Sequence, residues 1–132
     1  HPDAVVGKFL INAVTTLVLF DTGASHSFIS RRFVDKFKFP TVALKSPMVV
    51  SSPGVEYMAS RGCYQLPVTI GRHVFPIDLI VLESQGLDVI LGMDWLSKYE
   101  GNIDCASKSI LLTTPEEKGS SMYPGMCRGG LR

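Results

Sequence analysis

The residues with the clearest potential for chemistry are Asp21, Thr22 and Gly23, which directly follow the apolar segment 17–20. A carboxylate at the end of an apolar strand is costly to desolvate unless hydrogen bonds hold it in place. The glycine allows another backbone to approach closely, and the threonine hydroxyl can fix the loop through hydrogen bonds. By average residue frequencies such a triplet occurs by chance in roughly one in twenty chains of this length. The triplet alone is therefore weak evidence for a catalytic acid or base, and the neighbouring sequence has to support this interpretation.

The composition predicts one turn-rich globular domain. A length of 132 residues suits a single core, and 45% of the residues are hydrophobic. A net charge of +1 gives no electrostatic footprint for nucleic acid and does not indicate a membrane surface as partner. The longest apolar segments are far shorter than the roughly 20 residues that span a bilayer. Three cysteines without CxxC spacing indicate reduced thiols in an intracellular protein rather than a disulfide framework or a zinc site.

The elements before and after the triplet read as strands with short helices between them. Segments 5–11 and 14–20 are rich in β-branched and aromatic residues, and the Asn12-Ala13 turn between them predicts a hairpin. The segment "SRRFVDKFKFP" predicts a helix that Ser30 caps and Pro40 ends. Residues 41–82 are strand-like, and Pro53-Gly54 predicts the tight tip of a hairpin over 48–58.

The last third of the chain contains a second short motif. "DVILG" is uniformly apolar, as in a strand buried on both faces, and "MDWLSKYEG" predicts a helix with Asp94 near its start and Gly101 as C-cap. "SKSILLTT" predicts a last strand. We expect one domain over residues 1–114 and a flexible tail over 115–132. The fold class is therefore mostly β, a closed or strongly bent barrel with one or two short helices.

The two motifs together resemble the retropepsin-like aspartic proteases. In that family an apolar strand leads into Asp-Thr-Gly-Ala, and some 60 to 70 residues later two apolar residues and a glycine precede a short helix. The corresponding segments here are "LVLFDTGAS" and "DVILGMDWL". The segments "DTGASHSFIS" and "ILGMDWL" together most resemble those of proteases of gypsy-type LTR retrotransposon polyproteins. They are also similar to those of the protease-like domain of DNA-damage-inducible ubiquitin-shuttle proteins, and the resemblance covers residues 5–113.

The resemblance implies a retropepsin-like acid protease barrel that is active as a twofold-symmetric homodimer. Aspartic proteases use two carboxylates that share a proton, and this sequence contains a single Asp-[Thr/Ser]-Gly. The second carboxylate must then come from a second copy of the chain. The resemblance implies that Asp21 is the catalytic acid or base. It also implies that Thr22 contacts the same threonine of the second chain and that the backbone of Gly23 contacts the substrate. The implied substrate-binding residues are Ala24, Ser25, Ser52, Pro53, Gly54, Val55, Ile90 and Leu91.

The sequence departs from the retroviral pattern at two positions. Retroviral members usually carry Asp and Arg where this chain has Ser25 and Met93, so that supporting ion pair is missing. Asp94 and His26 could replace part of it by a hydrogen bond, although Asp94 as a helix N-cap is the simpler interpretation. The dimer is therefore expected to be weak and dependent on concentration.

These observations predict a homodimeric aspartic endopeptidase without metal or cofactor. Its expected substrate is a polyprotein that includes its own precursor, and it is expected inside the cell, in retroelement particles. One alternative is a protease-derived dimerisation or peptide-binding module linked to a ubiquitin-shuttle-type factor. Another is a monomeric precursor that is inactive until it is processed. A metal site from His26, His73, Cys63 and Asp21 matches no ligand spacing.

Overall fold

The structure is a computed structural model that describes residues 4–52, 55–83, 86–104, 106–107, 109–113, 120–124 and 126–127. It confirms a mostly β fold with two short helices. The elements in chain order are β1 (Ala4–Ile11), β2 (Val14–Asp21), β3 (Phe28–Ser30), α1 (Arg31–Phe37), β4 (Val42–Ser52), β5 (Val55–Ile70), β6 (His73–Leu82), β7 (Val89–Leu91), α2 (Met93–Lys98), β8 (Asn102–Asp104), β9 (Ser109–Thr113), β10 (Ser120–Pro124) and β11 (Met126–Cys127).

Most of the strands form one bent sheet. Its strand order is β11-β1-β2-β7-β3-β6-β5-β4, and β1 also pairs with β5 through Leu10↔Thr69 and Ile11↔Val68. This extra pairing joins two distant parts of the sheet and so curls it into a barrel-like shape. Strands β10, β9 and β8 form a separate small sheet.

Strand β7 lies between two strands that are neighbours in the sequence. It runs parallel to β2, with Phe20 opposite Leu91, and antiparallel to β3, with Ile29 opposite Val89. The loop of residues 22–27 joins β2 to β3, and we call it the Asp21 loop. Because its two ends stand on either side of β7, this loop has to pass over the end of β7, where α2 begins.

The packing of the sheet places its core on one side of these three strands. Side chains alternate between the two faces of a strand, and one face here is almost completely buried. An aromatic cluster continues this core, since the rings of Trp95 and Tyr99 are 4.9 Å apart and Phe75 lies 5.5 Å from Trp95. The buried residues on this face of the three strands are Val18, Phe20, Ile29, Val89 and Leu91.

Several predicted elements are confirmed. The β1–β2 hairpin turns at Asn12 and Ala13, which both have positive φ, at 49° and 67°. Helix α1 begins after Ser30, whose hydroxyl accepts a hydrogen bond from Phe33 N at 3.1 Å. It ends at a left-handed Lys38, two residues before the predicted stop at Pro40.

Both predicted caps of α2 are wrong. The N-cap is Gly92, and Asp94 is the second residue of the helix. At the other end the helix is capped by Tyr99, and the left-handed residue is Glu100 with φ 52°, so Gly101 is not the C-cap. A backbone amide of Gly101 still closes this end by donating to Leu96 O at 2.7 Å.

Strands β3 and β8, each three residues long, were not predicted from the sequence. Two further strands, β10 and β11, lie within residues 115–132, where the sequence predicted a flexible tail. They pair with β9 and β1, respectively. These pairings are with distant strands and leave no local periodicity in the sequence. The domain boundary at 114 and the tail over 115–132 stay predictions.

The predicted hairpin over 48–58 is present. Strands β4 and β5 pair from Met48↔Ala59 to Ser52↔Val55, while its predicted tip, Pro53-Gly54, lies outside the described residues. A register shift between Ala43 and Met48 interrupts the pairing at the base of the hairpin. In the part of the chain that the structure describes, no helix is long and apolar enough to cross a membrane.

Candidate active site

Asp21 is the last residue of β2, and local hydrogen bonds hold it. Its carboxylate oxygen Oδ1 accepts a hydrogen bond from Gly23 N at 2.8 Å, and its carbonyl oxygen accepts one from Ala24 N at 3.2 Å. The side chain is half-buried, as is Thr22, while Gly23 is exposed. A carboxylate in this setting is fixed in direction yet reachable from solvent, which suits a group that exchanges protons with a substrate.

The Asp21 loop rests on the start of α2. The carbonyl oxygens of Ala24 and Ser25 accept hydrogen bonds from Met93 N at 2.7 Å and Asp94 N at 3.3 Å. Gly92 lies directly beneath the loop, and a β-carbon there would stand 2.6 Å from Ala24 O. The glycine in the second motif is thus required by close contact with the loop that follows the first motif.

Ser27 was not predicted as a site residue, yet it joins the two motifs. Its hydroxyl donates to Asp94 Oδ1 at 2.6 Å and accepts from Gly92 N at 3.0 Å. The same carboxylate oxygen accepts from Trp95 N at 2.7 Å. The sequence carries no signal for this contact, because serine is common and its partners are 65 and 67 residues away.

The hydrogen bond between Asp94 and His26 suggested by the sequence is replaced by two others. Ser25 Oγ and His26 Nδ1 lie 2.9 Å apart, and Asp94 pairs with Ser27 instead. Ser25 and His26 are exposed, so this pair lies at the solvent side of the loop. The Asp21 loop is thus tied to α2 through the contacts of Ser27 with Asp94 and Gly92, without an ion pair between positions 25 and 93.

The sheet face that carries Asp21 includes the buried Leu19 and two half-buried apolar residues. Ile90 lies opposite Leu19 and Phe28, and Leu19 shares a face with Asp21 two residues later. Phe28 and Ile90 are half-buried, and Ile90 as a pocket wall stays a prediction. Leu91 faces the other way.

Leu91 is a correction to the predicted site. Its exposure is 0%, and it lies opposite Phe20 within the core. Neighbouring residues of a strand point to opposite faces, so Ile90 and Leu91 cannot both line one surface. Leu91 supports the floor of the site from below.

Of the remaining predicted residues, the structure gives the backbone position of two. Ser52 and Val55 are paired at the far end of the β4–β5 hairpin, and Pro53 and Gly54 lie outside the described residues. On this hairpin Val49 and Met58 face each other and are 55% and 68% exposed. Such an exposed apolar pair leaves surface that a substrate or a second chain could cover.

A groove of about 770 Å³ lies away from Asp21, between α1, the base of the β4–β5 hairpin and the end of β6. Arg31 crosses it and forms ion pairs with Asp35 and Glu83, and the hydrogen bond to Glu83 raises the pKa of the guanidinium. The groove contains none of the predicted site residues. Among the described residues no three His, Cys, Asp or Glu side chains come together to hold a metal ion.

The fold and the held carboxylate at the end of β2 define a retropepsin-like protein. The family model for retroviral aspartyl proteases matches residues 1–118, and the chain belongs to this family. The match extends across both motifs and the hairpin between them.

Two curated relatives are proteins named DNA damage-inducible protein 1. The chain is 29% identical over 105 residues to the one from Yarrowia lipolytica and 25% identical over 115 residues to the one from Neurospora crassa. These alignments cover 76% and 80% of this chain but 25% and 24% of the relatives. The chain therefore spans about a quarter of the length of the curated relatives it matches.

Solved structures show the same fold. The retroviral protease-like domain of Ddi1 from Leishmania major has a TM-score of 0.69 at 20% identity, with 92% of this chain and 93% of that chain covered. EIAV protease, in complex with an inhibitor, has a TM-score of 0.58 at 19% identity and coverage of 70% and 85%. A retropepsin-like aspartic protease from Rickettsia conorii has a TM-score of 0.56 at 23% identity and coverage of 75% and 75%.

Proposed function

We propose that two copies of this chain form an aspartic endopeptidase in which each copy contributes Asp21. The observation that carries the proposal is the half-buried Asp21 carboxylate, which the Gly23 amide fixes at the end of a strand in a chain of this family. Every other aspartate in the sequence is followed by a residue other than Thr or Ser. A single chain thus holds half of a two-carboxylate site, and the twofold axis of a homodimer supplies the other half.

The chemistry follows from the two carboxylates. Like charges about 3 Å apart do not both ionise readily, so the pair shares one proton. The ionised carboxylate takes a proton from a water whose oxygen bonds to the peptide carbonyl carbon. The other carboxylic acid supplies a proton, the carbon–nitrogen bond breaks and the amine leaves. No metal or cofactor is needed to balance these steps.

The proposed substrate is an extended polypeptide with apolar side chains near the bond that is cut. Support comes from Phe28 and Ile90, which are half-buried, apolar and on the sheet face that carries Asp21. An extended segment can also pair with a hairpin edge through main-chain hydrogen bonds, and the β4–β5 hairpin is the edge proposed for this role. Thr22, Gly23, Ala24, Ser25 and the end of the β4–β5 hairpin at residues 52–55 remain the proposed contacts.

The test is cleavage of a peptide library between pH 4 and pH 7, with and without a statine-type transition-state analogue. We expect cleavage that the analogue blocks, and loss of about 10²- to 10⁴-fold or more in rate for Asp21→Asn. Asp35→Asn is the matched control, because it makes the same change on the exposed face of α1 and should retain activity. Absence of cleavage by a chain shown to be dimeric by sedimentation overturns the proposal.

A second candidate is a dimeric peptide-binding module with little activity. The similarity to the two DNA damage-inducible proteins favours it. An intact, hydrogen-bonded Asp21 favours the enzyme, since a module has no use for a carboxylate that is costly to bury. The two candidates separate with Asp21→Asn, which removes cleavage in one case and leaves partner binding intact in the other.

A retroelement polyprotein, including the precursor of this chain, is the substrate we propose, with processing inside the cell in assembled particles. The choice of this substrate rests on the resemblance of the segments "DTGASHSFIS" and "ILGMDWL" to retrotransposon proteases. It is tested by expressing the element's polyprotein with and without Asp21→Asn and comparing the fragments produced.

A further inference from the structure

The Ser27 hydroxyl acts as both a hydrogen-bond donor and an acceptor where the Asp21 loop meets α2. It donates to Asp94 Oδ1 at 2.6 Å and accepts from Gly92 N at 3.0 Å. The residue is 1% exposed, so water competes for neither contact. A hydroxyl has one donor, and that donor is used here in a short, charge-assisted hydrogen bond.

The rest of this junction is built from main chain. Ala24 O and Ser25 O accept from the first amides of α2, and Ser27 O accepts from Ile80 N at 2.9 Å. These main-chain hydrogen bonds fix the position of the loop relative to Gly92. The Ser27 hydroxyl adds a side-chain link between the end of the loop and both Gly92 and Asp94.

The neighbouring side chain explains why this link matters. The residue after Gly92 is Met93, which is 37% exposed and has no charge with which to hold the loop. The Ser27 hydroxyl and the Asp94 carboxylate provide a side-chain contact between the loop and the helix. The loop is six residues long, and Asp21 stands immediately before it.

We propose that Ser27 is a positioning residue, whose hydroxyl holds the Asp21 loop on α2 and thereby sets the orientation of Asp21. This inference rests on the proposed protease function for its kinetic consequence and stands apart from it structurally. Ser27 does not touch the reacting atoms; it acts through the loop. Without the hydroxyl, the loop keeps its main-chain hydrogen bonds but loses the side-chain hydrogen bonds of Ser27 to Asp94 and Gly92.

The kinetic test compares Ser27→Ala with Ser27→Thr, which restores a hydroxyl. We expect Ser27→Ala to lower kcat by about 10- to 100-fold, as a misplacement of the order of 1 Å does, and to change KM by less than about twofold. Ser27→Thr should recover most of kcat. A second pair leaves Ser27 in place: Asp94→Asn keeps an acceptor oxygen and should keep activity, whereas Asp94→Ala should behave like Ser27→Ala.

The matched control is Ser30→Ala, which removes another buried hydroxyl three residues away. Ser30 caps α1 through Phe33 N, and it lies at the end of β3 that is farther from the Asp21 loop. A kcat for Ser27→Ala within about twofold of the unmodified protein, or a loss no greater than that of Ser30→Ala, overturns the proposal.

Amide hydrogen exchange provides a readout that needs no activity. In Ser27→Ala the amides of Gly23 and Ala24, which close the turn at Asp21, should exchange about 10-fold faster, while Ser30→Ala leaves them unchanged. Equal exchange in both variants overturns the proposal. Should the unmodified protein cleave no peptide, the proposed function fails, and this measurement still decides whether Ser27 positions Asp21.

Discussion

The backbone of Gly92 lies so close to Ala24 that a β-carbon on the glycine would stand 2.6 Å from the Ala24 carbonyl oxygen. Both partners are main chain, so neither can rotate away. Gly92→Ala should therefore lower the free energy of unfolding by about 1–3 kcal/mol and reduce peptide cleavage, because the Asp21 loop has to lift. Urea denaturation at fixed protein concentration and initial cleavage rates measure the two effects.

Gly101→Ala is the control for this prediction. A β-carbon at Gly101 would also stand 2.6 Å from its neighbour, but that neighbour is the end of the Leu96 side chain. A side chain can move by changing its rotamer, so the loss of stability should be smaller than for Gly92→Ala. A larger loss at Gly101 would contradict the assignment of the Gly92 contact as the more restrictive one.

If the active site is shared by two chains, an inactive chain that pairs with an active one should abolish the activity of that dimer. Mixing the unmodified protein with an equal amount of Asp21→Asn, at concentrations where dimers are saturated, should reduce the cleavage rate per active chain to about half. A threefold excess of the variant should reduce it to about a quarter. The rate is measured after subunit exchange has reached equilibrium.

An unrelated protein added at the same concentration controls for crowding and adsorption. A rate that does not change with added Asp21→Asn would mean that each chain acts alone. That result would contradict the shared site and favour a monomeric form.

Cys63 should be unreactive in the folded protein. It is 1% exposed on β5, and burial raises the pKa of its thiol, so the reactive thiolate is scarce. We expect iodoacetamide at pH 8 to label it at least about 100-fold more slowly in the native protein than in urea, because labelling requires local opening. Peptide mass spectrometry separates Cys63 from Cys105 and Cys127. Similar rates in both states would show that β5 opens readily.

Asp104 predicts a pH dependence of stability at the β8–β9 connection. Hydrogen bonds from the Ser107 and Ala106 amides lower the pKa of this carboxyl from 3.8. A lowered folded-state pKa adds stability above the unfolded value, and this contribution is lost as the pH falls through the folded value. Asp104→Ala should therefore lower the melting temperature slightly at pH 6, with a difference that shrinks below about pH 3.8. A difference that grows towards acid pH would contradict this sign.

Local patterns predicted the elements that carry their own signals. The Asn12-Ala13 hairpin, the Ser30 cap of α1 and the apolar strand before Gly92 are all present, because turn, cap and burial preferences act within a few residues. Asp21 was predicted as a candidate because its triplet follows an apolar segment, and the structure confirms that segment as β2.

The remaining features depend on contacts between distant residues. Ser27 has its partners 65 and 67 residues away, and β10 and β11 pair with strands that local sequence does not announce. Leu91 was misplaced because an apolar run does not reveal which of its residues faces the core. Asp94 was assigned to the cap position, although the loop contact fixes Gly92 there.

The insertion of β7 between β2 and β3 also governs when the site can exist. Asp21 is made early in synthesis, but the strand that separates its two flanking strands, and the helix on which its loop rests, end only at Lys98. A nascent chain that ends before α2 lacks the amides of Met93 and Asp94, which donate to Ala24 O and Ser25 O of the Asp21 loop. The order of the elements along the chain therefore delays completion of the candidate site until α2 has been synthesised.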